Sequence, residues 1–113
     1  MRDKRFRDSE CPMTRTVGEI GNKWKPIIVR VIDTRTVRFG QLAAIIPLIT
    51  RKVLAEQLKE MVEDGILIRN SVKEKPPRVD YSLSEKGQAL LPLLRGLAEW
   101  HVSFEKKSIK KSK

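Results

Sequence analysis

Residues 46–84 read IPLITRKVLAEQLKEMVEDGILIRNSVKEKPPRVDYSLS, and the hydrophobic period changes partway through them. After Thr50, the apolar residues Leu54, Leu58, Met61 and Val62 recur at the spacing of one helical face. Thr50 can cap a helix start with its hydroxyl, and Gly65 supplies the left-handed residue that ends helices, so the spacing predicts a helix between them. Beyond Gly65 alternation takes over. Ile66 and Ile68 alternate with Leu67 and Arg69, and Val79, Tyr81 and Leu83 alternate with Arg78, Asp80 and Ser82, which predicts two antiparallel strands. The KEKPP between them cannot belong to a central strand, because proline donates no ladder hydrogen bond, so it must protrude as a loop.

Working outward, RFGQLAAII places Phe39, Leu42, Ala43 and Ile46 at helical spacing, Pro47 closes the segment, and Pro47, Leu48 and Ile49 form a tight connection to Thr50. Further upstream, Asn22 can cap KWKPIIVRVID as a helix starting at Lys23, with Trp24, Ile27, Ile28, Val31 and Ile32 on a stripe expected to face the core. The β-branched richness of that segment also permits a buried strand, but its flanking turn residues favour the helix. A short first helix is expected from Pro12, with Val17 and Ile20 on one face and Gly21 at its end. Ser84 can cap a last helix running to about Phe104, with a kink at Pro92 and with Leu90, Leu94, Leu97 and Trp100 along one side. Helix, turn, Thr-capped helix and a hairpin with a basic loop make the order of a winged helix-turn-helix. The fold class expected is therefore α+β, mainly helical, with a two-stranded β-hairpin wing and a long C-terminal helix. Residues 1–10 read as a flexible charged arm to which Phe6 could add a docking point, 11–104 as one domain, and 105–113 as a basic tail.

The chain of 113 residues carries a net charge of +10, which suggests a polyanionic partner such as nucleic acid or an acidic membrane surface. Location tempers this: residues 105–113 hold +4 and the first ten residues +1, leaving +5 for 11–104, and basic tails also serve solubility. No long apolar run and no signal-like N-terminus is visible, which points to a cytoplasmic protein without membrane insertion. The single cysteine, Cys11, excludes a disulfide within one chain and a two-cysteine metal site. The single histidine, His101, stands beside Trp100 with no base, nucleophile or metal partner at useful spacing, and no glycine-rich phosphate loop occurs, so neither an enzyme nor a cofactor is expected.

If the stripe from Leu54 to Val62 faces inward, Thr50, Arg51, Lys52, Ala55, Glu56 and Lys59 lie outward, where cationic side chains can donate to guanine and Glu56 can accept from cytosine. Lys73, Lys75 and Arg78, in or beside the protruding loop, can reach sugar-phosphate or the minor groove. The plainer reading of Arg51 and Lys52 is a solvated helix surface, and a basic hairpin taken alone says little. Glu74 would repel phosphate unless it points away. A basic architectural or RNA-binding protein of the same fold is the alternative to a sequence-specific reader of double-stranded DNA.

Several stretches together resemble the HxlR-type regulators, a branch of the winged-helix proteins close to the MarR group. They are the Cys11–Pro12 pair, IGNKW at Ile20 to Trp24, RFGQL at Arg38 to Leu42, P-x-I-T at Pro47 to Thr50, DGILIRN at Asp64 to Asn70, and PPRVDYSLSEKG at Pro76 to Gly87. The resemblance runs from Cys11 to about Trp100 and implies prokaryotic repressors or activators, dimeric through their first and last helices, with the Thr50 helix as reader of a pseudo-palindromic site. It assigns Leu90, Leu94, Leu97 and Trp100 to a homodimer interface. It also implies that Cys11, matching a cysteine through which several relatives sense electrophiles or oxidants, is a thiol sensor; an inert cysteine packed under the dimer interface is the alternative. The chain departs from the family's pattern at Asn22, where glycine is usual, and after Pro47, where Leu48 stands in place of the usual glycine.

Overall fold

The computed structural model describes residues 4–111. In chain order its elements are α1 (Lys4–Arg7), α2 (Pro12–Ile20), α3 (Lys25–Ile32), β1 (Val37–Arg38), α4 (Phe39–Ile45), α5 (Arg51–Glu63), β2 (Leu67–Val72), β3 (Arg78–Leu83) and α6 (Glu85–Lys111). The expected helix-turn-helix is α4 and α5, and the expected wing is the hairpin of β2 and β3. A third strand joins them: β3 lies between β2 and β1, antiparallel to both, with Val37 opposite Tyr81 and Arg38 opposite Asp80. The two-stranded hairpin expected from alternation is thus the larger part of a three-stranded sheet. Two residues are too few to show a period, so β1 had no sequence signal of its own.

Ile28, Ile32, Leu42, Leu54, Leu58, Met61 and Ile66 are buried between the helices and the sheet, joined from α6 by Leu91 and Leu94. Burying each such side chain contributes roughly 1.5–3 kcal/mol. The stripe of α5 is as expected, with Leu54, Leu58 and Met61 inward and Val62 half-buried. At the end of α5, Gly65 takes φ 76° and the Ile66 amide donates back to the Met61 carbonyl at 2.9 Å. Ile66 thereby belongs to the helix ending rather than to the strand. The phase of β2 starts one residue later than alternation suggested: Leu67 is buried and Ile68 is 52% exposed.

The azimuth of α3 also differs from expectation. Ile28 and Ile32 are buried and Trp24 and Val31 half-buried, but Ile27 is 42% exposed, and Val29 and Lys25 occupy the core side instead. Apolar residues surround most of this short helix, so spacing leaves its rotation open and contacts decide it. The deciding contact is an ion pair from buried Lys25 Nζ to Glu60 Oε1 of α5 at 2.6 Å. Asn22 sets the helix start two residues later than Lys23 by accepting from the amides of Trp24 and Lys25 at 3.0 and 2.9 Å. Its Nδ2 donates to Gln57 Oε1 at 2.8 Å, so the residue that replaces the family's glycine ties α3 to α5 as well.

Residues 4–7 form a helical turn where the charged composition suggested an irregular arm. It packs on α2 at Gly18, where an added Cβ would stand 3.0 Å from that of Phe6. At the other end, α6 continues through Pro92 and past Phe104 to Lys111, so part of the segment read as a tail is helix. Ser84 caps it as expected, its Oγ accepting from the Gly87 amide at 3.1 Å while donating to the Ile66 carbonyl at 3.0 Å. The long helix makes the molecule elongated. The Cα radius of gyration is 16.2 Å with extents of 57 × 36 × 25 Å, against about 13 Å for a compact chain of similar length.

Candidate nucleic-acid interface

The turn between α4 and α5 is built without glycine: Leu48 holds φ 69° and is 92% exposed. A non-glycine residue there costs roughly 1–2 kcal/mol. The resemblance leads one to expect glycine at this position, so here Leu48 carries the strain. Thr50 then caps α5, its Oγ1 accepting from the Val53 amide at 3.1 Å. That bond occupies the hydroxyl's role as helix cap and leaves its proton free for a further partner.

From Thr50, every residue expected to point outward does so: Arg51, Lys52, Ala55, Glu56 and Lys59 are exposed while Leu54 and Leu58 face the core. Among the described residues no carboxylate pairs with Arg51, Lys52 or Lys59. Arg51 is nonetheless held, its guanidinium standing 5.7 Å from the centre of the Phe39 ring of α4. Lys25 and Asn22 brace α5 along its flank through Glu60 and Gln57, so the row is presented by a helix fixed at cap, underside and side. These braces carried no signal in the hydrophobic pattern, because polar pairs between distant segments leave no period.

The wing divides. Lys73 and Lys75 are exposed in its loop, whereas Arg78 turns to its base, donating to Glu74 Oε2 at 3.1 Å and to Asp80 Oδ2 at 3.4 Å. Arg78 is therefore compensated by its own chain, and Glu74 is drawn to it rather than left facing a phosphate. Arg69 on β2 is a further exposed cation, and its place in an apolar alternation gives no sign of this exposure to the wing face.

On α6 the four proposed interface residues do not act as one row. Leu94 is 4% exposed and Leu90 half-buried against the protomer's own core, whereas Leu97 and Trp100 are 62% and 64% exposed. Leu94 is thus corrected from interface to core. Leu93 and Phe104 join the exposed set, and the Trp100 and Phe104 rings lie 6.1 Å apart between centroids. Cys11 is exposed at the N-cap of α2. Hydrogen bonds from the Thr14 side chain and from the Thr14 and Met13 amides hold its thiol below the ordinary cysteine range, with a smaller contribution from Arg15. The helix start expected at Pro12 already sets Cys11 at a helix end, whereas the larger role of Thr14 comes from the fold of that end. Among the described residues there is no cluster that could hold a metal and no helix long and apolar enough to cross a membrane.

Residues 19–109, which take in α3 to α5, both wing strands and all but the last two residues of α6, match the model of the HxlR-like helix-turn-helix family. The chain belongs to that family. As an HxlR-like protein it shares 39% identity over 95 residues with the HTH-type transcriptional regulator YdzF of Bacillus subtilis (strain 168), an alignment covering 83% of this chain and 87% of YdzF. Its fold matches a MarR-family transcriptional regulator structure from Porphyromonas gingivalis W83 with a TM-score of 0.80 at 34% identity, covering 84% of this chain and 93% of that one. The redox regulator HypR in its oxidized form matches with a TM-score of 0.77 at 39% identity, covering 82% of this chain and 96% of that one. HxlR-like proteins and these relatives are transcriptional regulators rather than enzymes, and this chain is a helix-turn-helix regulator of the same kind.

Proposed function

We propose that this regulator binds double-stranded DNA sequence-specifically as a homodimer in the cytoplasm, with α5 in the major groove and Lys73 and Lys75 of the wing on the backbone or in the minor groove. The observation that carries the reading is the outward row of α5: Thr50, Arg51, Lys52, Ala55, Glu56 and Lys59 are exposed together on a helix braced by the core beneath it. Cations there can donate to guanine, Glu56 can accept from a cytosine amine, and the Ala55 methyl can meet that of thymine. The second subunit follows from Leu93, Leu97, Trp100 and Phe104 standing exposed on a projecting helix that its own chain does not cover. Twofold symmetry makes the operator pseudo-palindromic, with half-site centres roughly 34–36 Å apart. Selection from random duplexes followed by binding curves tests this: the selected site is expected to bind roughly a thousandfold or more tighter than random duplex. A flat preference with steep salt dependence identifies an architectural binder instead.

A thiol response through Cys11 is a second part of the proposal, favoured by its exposure and its lowered pKa, which raise the thiolate fraction available to a small electrophile or oxidant. With a single thiol per chain, the response runs through alkylation, a mixed disulfide or an intersubunit bridge. Cys11→Ser is expected to abolish electrophile-induced release from the operator, and release that survives the substitution overturns this part alone.

A further inference from the structure

Between α4 and the wing lies a cleft of about 590 Å³ lined by Arg38, Phe39, Gly40, Pro77, Arg78 and Tyr81, among others. Its charge is one-sided. Arg78 is compensated by Glu74 and Asp80, but among the described residues no carboxylate pairs with Arg38, which is exposed at the junction of β1 and α4. Phe39, the next residue, carries the Arg51 guanidinium over its ring, which sets the cleft beside the first turn of α5. Nothing fills the space beside Gly40: a Cβ built there meets no atom within 4 Å. We infer that this cleft seats a phosphodiester of the DNA backbone, held by Arg38. The inference rests on the major-groove reading of α5 and gives Arg38 a positioning role. Phe39 lines the cleft and meets Arg51 of α5, so a DNA strand bordering the groove occupied by that helix runs beside the cleft. Arginine suits the task, since its planar fork matches two phosphate oxygens at once.

The salt dependence of binding to a random-sequence duplex tests it, because that affinity needs no operator. Arg38→Ala is expected to flatten the slope of log affinity against log salt by about 0.9 per subunit, the release of one condensed counterion. Arg30→Ala removes the same charge from an exposed site on α3 beside α6, outside the cleft, and is expected to leave the slope in place. Equal effects from the two variants reduce the result to net charge and overturn the inference, as does an unchanged slope in Arg38→Ala. Gly40→Glu supplies a readout of opposite sign. An acid in the first turn of α4 favours the helix, so the variant is expected to melt no lower than the unsubstituted protein, yet it places a carboxylate in the cleft and should weaken binding to every duplex by about tenfold or more. Undiminished binding by Gly40→Glu overturns the inference. Failure of the unsubstituted protein to bind any duplex removes the major-groove reading and the cleft with it, whereas binding with an unaffected Arg38→Ala slope removes the cleft alone.

Discussion

α5 and the distal half of α6 are both amphipathic helices, and they leave opposite faces to solvent. α5 keeps Leu54, Leu58 and Met61 inside and shows Arg51, Lys52 and Lys59; α6 beyond Leu94 shows Leu97, Trp100 and Phe104. Exposed cations are well hydrated and cost the free protein little, so a charged face is stable while it awaits a polyanion. A run of large apolar side chains on a projecting helix keeps its hydrophobic free energy unrealised until a similar surface covers it. The difference teaches that the two faces suit different partners: one that would replace counterions, and one that would replace water.

The comparison breaks if the buried and exposed apolar residues prove interchangeable. Leu58→Ala empties a fully buried site beneath the reader row and is expected to cost about 2–5 kcal/mol of stability in urea denaturation. Trp100→Ala is expected to leave that protomer stability nearly unchanged while weakening the dimer by about 2 kcal/mol, close to thirtyfold in dissociation constant, by sedimentation equilibrium. A Trp100→Ala variant that unfolds as readily as Leu58→Ala would make the distal half of α6 part of the core.

Smaller effects sharpen the picture at the helix ends. Leu48→Gly relieves the left-handed residue ahead of α5, and after the entropy that glycine loses on folding a gain of about 0.5–1 kcal/mol is expected. An unchanged or lowered urea midpoint would mean that Leu48 makes a stabilising contact after all. At the start of α2, Thr14→Val removes the largest influence lowering the Cys11 thiol. Since that influence favours thiolate, the pH at which alkylation by iodoacetamide is half-maximal lies below the ordinary cysteine value in the unsubstituted protein. It is expected to move upward in Thr14→Val, and a profile that stays in place assigns the lowered thiol to another group.

How far the chain could be read without coordinates depended on how many neighbours each feature needs. The stripe and cap of α5 and the outward placement of its cations involve residues within a few turns of one another, and all were legible. The phase of β2 was not, because Ile66 is claimed by the Met61 carbonyl at the end of α5 and the strand begins from Leu67. Ile27 was placed inside by spacing, yet the Lys25–Glu60 pair turns α3 so that Val29 faces the core. Arg78 was grouped with Lys73 and Lys75 by sequence proximity, although Glu74 and Asp80 engage it at the base of the wing.

The amino-acid order by itself determined the succession of α2 to α6 and the two hairpin strands, the turn that separates α4 from α5, and which face of α5 is cationic, since period, capping and turn chemistry act over short stretches of chain. Tertiary structure alone decided which apolar residues of α6 are core and which stay exposed, which cations are already neutralised, and that Arg38 lines a cleft with the wing. Those outcomes depend on which distant segments come to lie against each residue, and burial and charge pairing are properties of that neighbourhood rather than of the residue that experiences them.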